Sequence, residues 1–407
     1  ESERMTETRY GDKYSDDYIQ QILGSVRCIA MVGASADPSK PSNNVLQFLV
    51  GAGYDVVPVN PRPDVTEICG LKVYPSLESI DQTVDMVDVF RPSGELSGIA
   101  RQAQEIGASV LWAQLGIHDE EAERIAEQGG MKVVMDRCPK IELTGPILLR
   151  NTSSEGILRL TLNDTERRNA LSMDMLKQLR TALDEAAEDA SIRVIILAAK
   201  GRAFSAGHDL REMTRARQAP DGGRAFFEET MDACCGVMQA IVTNPKPVIA
   251  EVGGVATAAG CQLVASCDLA YASPSARFAT PGVTIGLFCS TPMVALSRNV
   301  GNKAAMEMLL TGEMIDAERA TAIGLLNRTV PEEQLSDYTH GIAQTIASKS
   351  SMTLKTGKEA FYRQRDMPLA EAYEYASNVM VDNLLKPDAE EGINAFLEKR
   401  APRWSDE

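Results

Sequence analysis

The feature that most constrains the fold is an alternation running from residue 14 to 142, in which short β-branched apolar runs take turns with helical stretches. "CIAMVGAS" (28–35) is an apolar run that breaks at Gly33, and "NNVLQFLVGAGY" (43–54) has helical spacing closed by Gly51 and Gly53. "DVVPVNPR" (55–62), "MVDVF" (86–90), "SVLWAQLG" (109–116) and "KVVMDRC" (132–138) are further strand candidates, with helix-like "GELSGIARQAQEIG" (94–107) among them. Strands that alternate with helices bury both faces of a parallel sheet, so this half is expected to be a doubly wound α/β domain.

From Pro139 to Glu155 the periodicity is lost in "PKIELTGPILLRNTSSE", which marks a boundary. Beyond it "GILRLTLN" (156–163) and "VIILAAKG" (194–201) flank the helical "SMDMLKQLRTALDEAAED" (172–189). Short strands are expected at "PVIAEVGG" (247–254), "LAYASP" (269–274) and "RFATP" (277–281), and a mostly helical region from about Asn302. A chain of 407 residues exceeds one ordinary core. The expected division is a first domain over 14–143, a linker over 144–155 and a second domain over 156–404.

A formal charge of −16 argues against nucleic acid as a partner, because duplex binding neutralises phosphates with Lys and Arg. The eight cysteines form no C-x-x-C pair and have no His cluster nearby, so no metal site is expected and they read as buried free thiols in a reducing compartment. No run of eighteen apolar residues occurs, so no membrane span is expected. The opening "ESERMTETRYGD" has no apolar core of a secretory signal. The cytoplasm is the simplest address, with the mitochondrial matrix as the alternative.

Two sites, built from three turns, carry chemistry. In "MVGASADPSKPSNNV" (31–45) an apolar run ends at Gly33 and a helix follows, where free backbone N–H groups and the helix dipole favour an anion. Ser35, Lys40 and Ser42 add donors, but G-x-G-x-x-G is absent. The segment from Tyr14 to Leu143, with "VGAS", "KPS", "VVPVNPR", "VYPSLESI", "VDVFRP", "LWAQLGI" and "VMDRCPKIE", resembles small Rossmann-like CoA-binding proteins of the succinyl-CoA synthetase type. The resemblance implies CoA or an acyl-CoA phosphate at Gly33, Ala34, Ser35 and Lys40, with Asn60, Arg62, Arg91 and Pro92 nearby. A turn that only packs strand on helix is the alternative, and His118 and Cys138 read as structural.

In the second half, "KGRAFSAGHDLREM" (200–213) and "GVATAAGCQLVASCD" (254–268) each run from small residues into a helix start. Two such turns can aim N–H donors at one developing oxyanion, a contribution of about 10²–10³ in rate per donor. Together with "NDTERRNALS", "FATPGVTIG", "LLTGEMIDAERATAIGLLNRTVP" and "EGINAFLEKRAPRW", these stretches resemble the crotonase (enoyl-CoA hydratase/isomerase) superfamily over about 155–404. The resemblance implies a ββα spiral fold, a helical C-terminal region that assembles subunits into a homotrimer or hexamer, and a CoA thioester as ligand. Carried across by position, the oxyanion donors are the backbone N–H groups of His208 and Ala259. Ala206 and Arg211 fall where adenine and CoA phosphate bind, and Arg168 and Ala170 at the pantetheine entry.

The departure lies in the acids. The family's hydratases place one glutamate where this chain has Gln262 and another where it has Gly282. General acid–base groups contribute about 10²–10⁴ each, so the resemblance implies polarisation of a thioester with little hydration. "SAGHDL" also resembles malonyl-type CoA decarboxylases, which need the oxyanion hole and not the acid pair, although those keep the first glutamate. A non-catalytic acyl-CoA binder is the other reading. The His208 ring is expected to be solvated, with an acid or base role the alternative; Cys289, beside Ser290 and Thr291, is expected to be a buried thiol rather than a nucleophile, Asp209 and Asp268 structural, and Glu228 and Glu229 on a solvated helix face rather than reaching the pocket.

Overall fold

The computed structural model describes residues 9–406, so the polar opening of the chain lies largely outside the described residues. The chain divides into two compact units, Glu1–Pro146 and Ile147–Glu407.

In the first unit the strands are β1 (Cys28–Val32), β2 (Asp55–Val59), β3 (Met86–Val89), β4 (Val110–Ala113) and β5 (Lys132–Val134). They form one parallel sheet in the order β2-β1-β3-β4-β5. Period-two alternation splits each strand between two cores. Ile29 and Met31 pack with Trp112 and the helix α1 (Asp16–Ser25) residues Ile19 and Ile22 on one face. Ala30, Val87 and Val89 pack with Leu96 and Ile99 of α3 (Ser93–Glu105) on the other. Covering on both faces is why these strands read as nearly unbroken apolar runs. Asp88 is the exception: fully buried and held by the Gln114 amide at 2.8 Å, it has its carboxyl pushed up by burial to about 7. The strand order reverses between β1 and β3, and a ligand crevice in such sheets lies outside the carboxyl ends at that point.

The second unit builds two sheets at once. After β6 (Leu148–Thr152) and β7 (Ile157–Leu162), each pass of the chain adds one strand to each sheet. β8 (Val194–Ala199) is followed by β9 (Ala203–Ser205), β10 (Val248–Val252) by β11 (Val255–Thr257), and β12 (Leu269–Ala272) by β13 (Arg277–Ala279). The large sheet contains β6, β7, β8, β10 and β12, and the small one runs β9-β11-β13 with parallel neighbours. Helices α6 (Met173–Glu188), α8 (Arg224–Thr243) and α9 (Ala259–Ser266) pack a continuous apolar core against them. α9 is buried along its whole length, which its composition of small and apolar residues permits.

Two expectations need correction. The stretch 144–155, expected as a linker, contains β6, which pairs antiparallel with β7 from Leu148↔Leu162 to Thr152↔Leu158. An edge strand exposes one side, and its outer residues Arg150, Asn151 and Thr152 are exposed, so the apolar alternation is missing from the sequence. The cysteines are all free, but Cys69 is exposed and Cys235 half-buried, so only six of the eight are buried. Cys234 and Cys235 do sit on α8.

The C-terminal helices include α13 (Glu332–Ala347), α14 (Ser351–Gln364), α15 (Leu369–Leu384) and α16 (Pro387–Glu398). α14 is pinned by a buried cluster: Lys358 Nζ lies 2.7 Å from Asp268 and donates to the carbonyls of Ile241 and Lys246. Tyr362 donates to the other Asp268 oxygen at 2.8 Å, and Val248 N–H donates to Asp268 at 2.7 Å. Asp268 is thus a structural anchor, as expected.

Candidate functional site

At the carboxyl end of β1, Gly33 adopts φ +87°. A side chain there would be strained, and its Cβ would come within 3.0 Å of the Arg91 side chain and 3.2 Å of the Phe90 carbonyl. The turn is locked from two sides: Asn60 Nδ2 donates to the Ala34 carbonyl and Asn43 Nδ2 to the Ser35 carbonyl, each at 2.8 Å. Lys40 is the N-cap of α2 (Pro41–Gly51), with Pro41 at the first helical position. Gly33, Ala34, Ser35 and Lys40 thus follow the carboxyl end of β1, and Asn60 and Arg62 that of β2. The guanidinium groups are not idle. Arg62 pairs with Asp64 at 2.8 Å and Arg91 with Glu95 at 2.7 Å, all four side chains well exposed. His118 stacks on Tyr10 and Cys138 is the buried N-cap of α5 (Pro139–Thr144), so both are structural as expected.

In the second unit, the small sheet delivers three turns to one place. β9 ends in Ala206–Gly207–His208, β11 in Ala258–Ala259, and β13 in Thr280–Pro281–Gly282. Gly207 has φ +86°, and a Cβ on it would lie 3.3 Å from Ala259 N and 3.1 Å from the Thr257 carbonyl. A Cβ on Gly260 would strike the Ser205 carbonyl at 2.1 Å. These glycines are what allow the two turns to touch. Ala258 takes φ 51°, ψ −120°, an unusual backbone for a residue with a side chain, and caps α9. Among the described residues, neither the His208 nor the Ala259 backbone N–H donates a hydrogen bond within the protein. Ala259 is the first residue of α9, where N–H groups have no partner in the helix.

The loop 168–171 closes this region. Arg168 and Asn169 have φ 54° and 51°, and Ala206 N–H donates to the Arg168 carbonyl at 3.0 Å. Asn169, which sequence reasoning did not single out, is buried and clips the loop to the β9 turn through the Lys200 and Ala203 carbonyls. Arg168 is exposed and Ala170 buried; Arg211 is exposed on α7 (Leu210–Ala216), capped by Asp209 as expected. Glu228 and Glu229 are exposed and pair with Arg224 and Lys177, the solvated face that was expected.

Gly282 and Gln262 are both buried. A Cβ at Gly282 would lie 2.8 Å from the Leu287 carbonyl and 3.0 Å from Cys289 Sγ, while the Gly282 N–H points at that sulfur at 3.3 Å. The Cys289 thiol therefore fills the space a side chain at 282 would need. Burial pushes the Cys289 thiol up, so it is protonated at neutral pH. Gln262 presents Oε1 3.9 Å from Cys234 Sγ and lines a cavity of about 410 Å³ with Met238, Val294, Arg298 and Tyr362. His208 and Ala259 do not line that cavity.

The His208 ring corrects the sequence reading. It is not solvated: both ring nitrogens are buried, one facing the Leu171 backbone outside good hydrogen-bonding geometry and the other without any partner. Burial pulls the imidazole pKa down, against an opposing pull from the Leu171 backbone, so the ring is neutral at pH 7. The Thr280 hydroxyl and Asn169 Oδ1 are likewise buried without partners. A buried polar atom left unpaired costs about 1–3 kcal/mol, and in the second unit such side-chain atoms occur, among the described residues, only on these loops.

Comparisons with known proteins match both units. A family profile described as "Enoyl-CoA hydratase/isomerase" covers residues 152–407, and one described as "CoA binding domain" covers 27–144. Over 260 residues, 64% of this chain and 85% of the relative, the sequence is 50% identical to the mitochondrial enoyl-CoA hydratase domain-containing protein 3 of Rattus norvegicus. Among solved structures, an enoyl-CoA hydratase of Mycobacterium smegmatis is 49% identical, covering 64% of this chain and 99% of that one with a TM-score of 0.61. Human enoyl-CoA hydratase domain-containing protein 3 is 47% identical, covering 64% of this chain and 100% of that one, also at 0.61. The chain belongs to the enoyl-CoA hydratase/isomerase family and carries, before that fold, a CoA-binding domain.

Proposed function

We propose that the second unit binds an acyl-CoA and polarises its thioester carbonyl through the backbone N–H groups of His208 and Ala259, and that efficient hydration is not its reaction. The observation that carries this reading is the contrast on one small sheet. Two N–H groups without partners stand on touching turns, while the space beside Gly282 is filled by Cys289. Donors fixed in advance stabilise an enolate or tetrahedral oxyanion without reorganisation. Adding water needs a base for the water and an acid for Cα, and neither Gln262 nor Gly282 can exchange a proton. Arg168, Ala170, Ala206 and Arg211 would hold pantetheine, adenine and phosphate. In the first unit Gly33, Ala34, Ser35, Lys40, Asn60 and Arg62 would hold CoA phosphates.

Decarboxylation of a malonyl-type thioester is the second reading, favoured by the same losses. The Cα–carboxylate bond breaks, carbon dioxide leaves, and the electron pair passes into an enolate held by the two N–H groups. A binder in which no bond changes is the third. Exposed Leu369, Tyr373, Leu385, Phe396 and Leu397 on α15, its C-terminal flank and α16 support a self-associating face, hence a homotrimer or hexamer. Relatives named as mitochondrial support the mitochondrial matrix as address. Among the described residues no helix is long and apolar enough to cross a membrane.

The test is vibrational. Bound crotonyl-CoA should show its carbonyl stretch shifted to lower frequency, and Ala259→Pro, which removes one donor, should abolish most of that shift and lower affinity about tenfold or more. An unshifted carbonyl in the wild-type complex overturns the reading. Mass spectrometry of malonyl-CoA and crotonyl-CoA incubations then separates loss of carbon dioxide, gain of water, and no change.

A further inference from the structure

The unpartnered polar atoms around the proposed thioester site ask for an account of their own. Buried polar groups in folded proteins almost always find partners, and clusters of exceptions mark places where something else supplies the partner. In the second unit, among the described residues, these atoms are Asn169 Oδ1, both ring nitrogens of His208 and the Thr280 hydroxyl. They are not scattered. His208 carries its ring on the same residue whose N–H is the proposed oxyanion donor, so covalent geometry keeps ring and donor within a few ångströms. Thr280 follows Ala279, which pairs with Thr257 across β11 and β13, and the Ala279 carbonyl accepts the Ala258 N–H at 3.0 Å. The Thr280 backbone therefore stands beside Ala258 and Ala259. The two unpartnered side chains are rooted on the two sides of the Ala259 donor.

Their chemistry is complementary. A neutral imidazole offers one N–H donor and one lone pair, and a hydroxyl offers both capacities. Neither carries charge, and neither takes part in a described ion pair: those of this region join Arg167 to Asp164 and to Asp209, the buried N-cap of α7. A plain hydrocarbon chain bound here would leave the Thr280 hydroxyl and the open His208 ring nitrogen unpaired, whereas an oxygen near the thioester would pair with them. Sites built to hydrogen-bond a substrate oxygen reject the analogue that lacks it far more strongly than an apolar pocket rejects an added group.

We infer that the His208 imidazole and the Thr280 hydroxyl select the acyl chain by hydrogen-bonding an oxygen carried on its α or β carbon, so the preferred ligand is an oxygenated acyl-CoA and not a saturated or enoyl hydrocarbon thioester. This rests on the proposed thioester site. It assigns these two side chains to specificity, separately from the backbone donors.

The experiment measures binding of butyryl-CoA, 3-hydroxybutyryl-CoA and malonyl-CoA to the full chain, wild type and Thr280→Val, by calorimetry. The wild type should prefer one or both oxygenated ligands over butyryl-CoA by tenfold or more. Thr280→Val, which keeps the shape, should cut that preference severalfold with butyryl-CoA affinity unchanged. A second readout follows ¹⁵N-histidine resonances. The His208 ring nitrogens should shift with the oxygenated ligand and stay put with butyryl-CoA, whose thioester reaches only the His208 backbone N–H, while the rings of His118 and His340 stay put with both. A hydroxyl ligand should change only the tautomer balance, and a carboxylate should draw the ring toward its protonated form. Equal affinity for all three ligands, or equal weakening of all three by Thr280→Val, overturns this inference and leaves the thioester site standing. If none of the three binds the second unit, both readings are overturned.

Discussion

The two units use charge in opposite ways. In the first, the guanidinium groups nearest the glycine turn, Arg62 and Arg91, are surface groups whose acidic partners Asp64 and Glu95 lie two and four residues along the chain. In the second, a deeply placed ion pair, Lys358 with Asp268, has side chains only 8% and 16% exposed and holds the scaffold. The proposed ligand donors there are backbone groups. An exposed pair can exchange its acid for a phosphate at small cost, because water already screens both. A buried pair cannot exchange anything without leaving a charge uncompensated. The difference suggests that the first unit recognises CoA by adaptable charge, and the second by fixed dipoles on a frame that charge makes rigid.

Breaking the frame should have the largest effect. Lys358→Ala leaves Asp268 buried with only Tyr362 and the Val248 N–H, and removal of one partner of a buried pair typically costs about 3–5 kcal/mol. Denaturant unfolding followed by a probe in the second unit should show a loss of that size. Glu95→Gln in the first unit should leave its unfolding midpoint unmoved. A Lys358→Ala variant as stable as the wild type would remove the contrast on which the comparison rests.

The next effect concerns the loop at Gly282. Gly282→Glu must place its Cβ against Cys289 Sγ and the Leu287 carbonyl. Overpacking of this kind costs about 1–3 kcal/mol before the burial of a carboxylate is added. Cys289→Ala should return part of that loss, because one of the two obstacles is the thiol. Activity should follow the same logic. Gln262→Glu with Gly282→Glu should gain less than tenfold in crotonyl-CoA hydration over wild type. Adding Cys289→Ala should raise the rate a further tenfold or more, since each acid–base group contributes about 10²–10⁴ once seated. Full hydratase activity from Gln262→Glu alone would show that the second glutamate is dispensable here, against the present reading.

How much of this was legible in the sequence depends on whether the cause was local. The strands of the first unit were, since burial on both faces forces continuous apolar runs such as "CIAMV" and "DVVPV". The three glycine and small-residue turns were, because close backbone approach admits few residue types. The strand Leu148–Thr152 was not, because an edge strand with an exposed flank has no alternation to display. The clash between position 282 and Cys289 was not, because it is a contact between residues seven apart across a loop. The burial of the His208 ring depends on tertiary packing and left no sequence signal. The pairing of Arg91 with Glu95 had one, the i,i+4 spacing at a helix start, which predicts an occupied guanidinium.

The smallest effect sharpens the comparison in the first unit. Arg62 lies beside Asp64 and holds that carboxyl below the usual range, so the acid stays charged at neutral pH and competes with any phosphate for the guanidinium. Asp64→Asn removes the competing charge and should raise CoA affinity at the first site by about two- to fivefold at 0.1 M salt, the range expected of one exposed pair. At 1 M salt, where screening acts within about 3 Å, the gain should vanish. Arg62→Ala should lose affinity by a similar factor and lose its salt dependence with it. The carbonyl shift of a thioester in the second unit should be the same in all three proteins, because its donors carry no net charge to screen. If that shift instead tracks salt or the Asp64→Asn substitution, the two sites do not recognise CoA by separate means, and the division between adaptable charge and fixed dipoles fails at its most sensitive point.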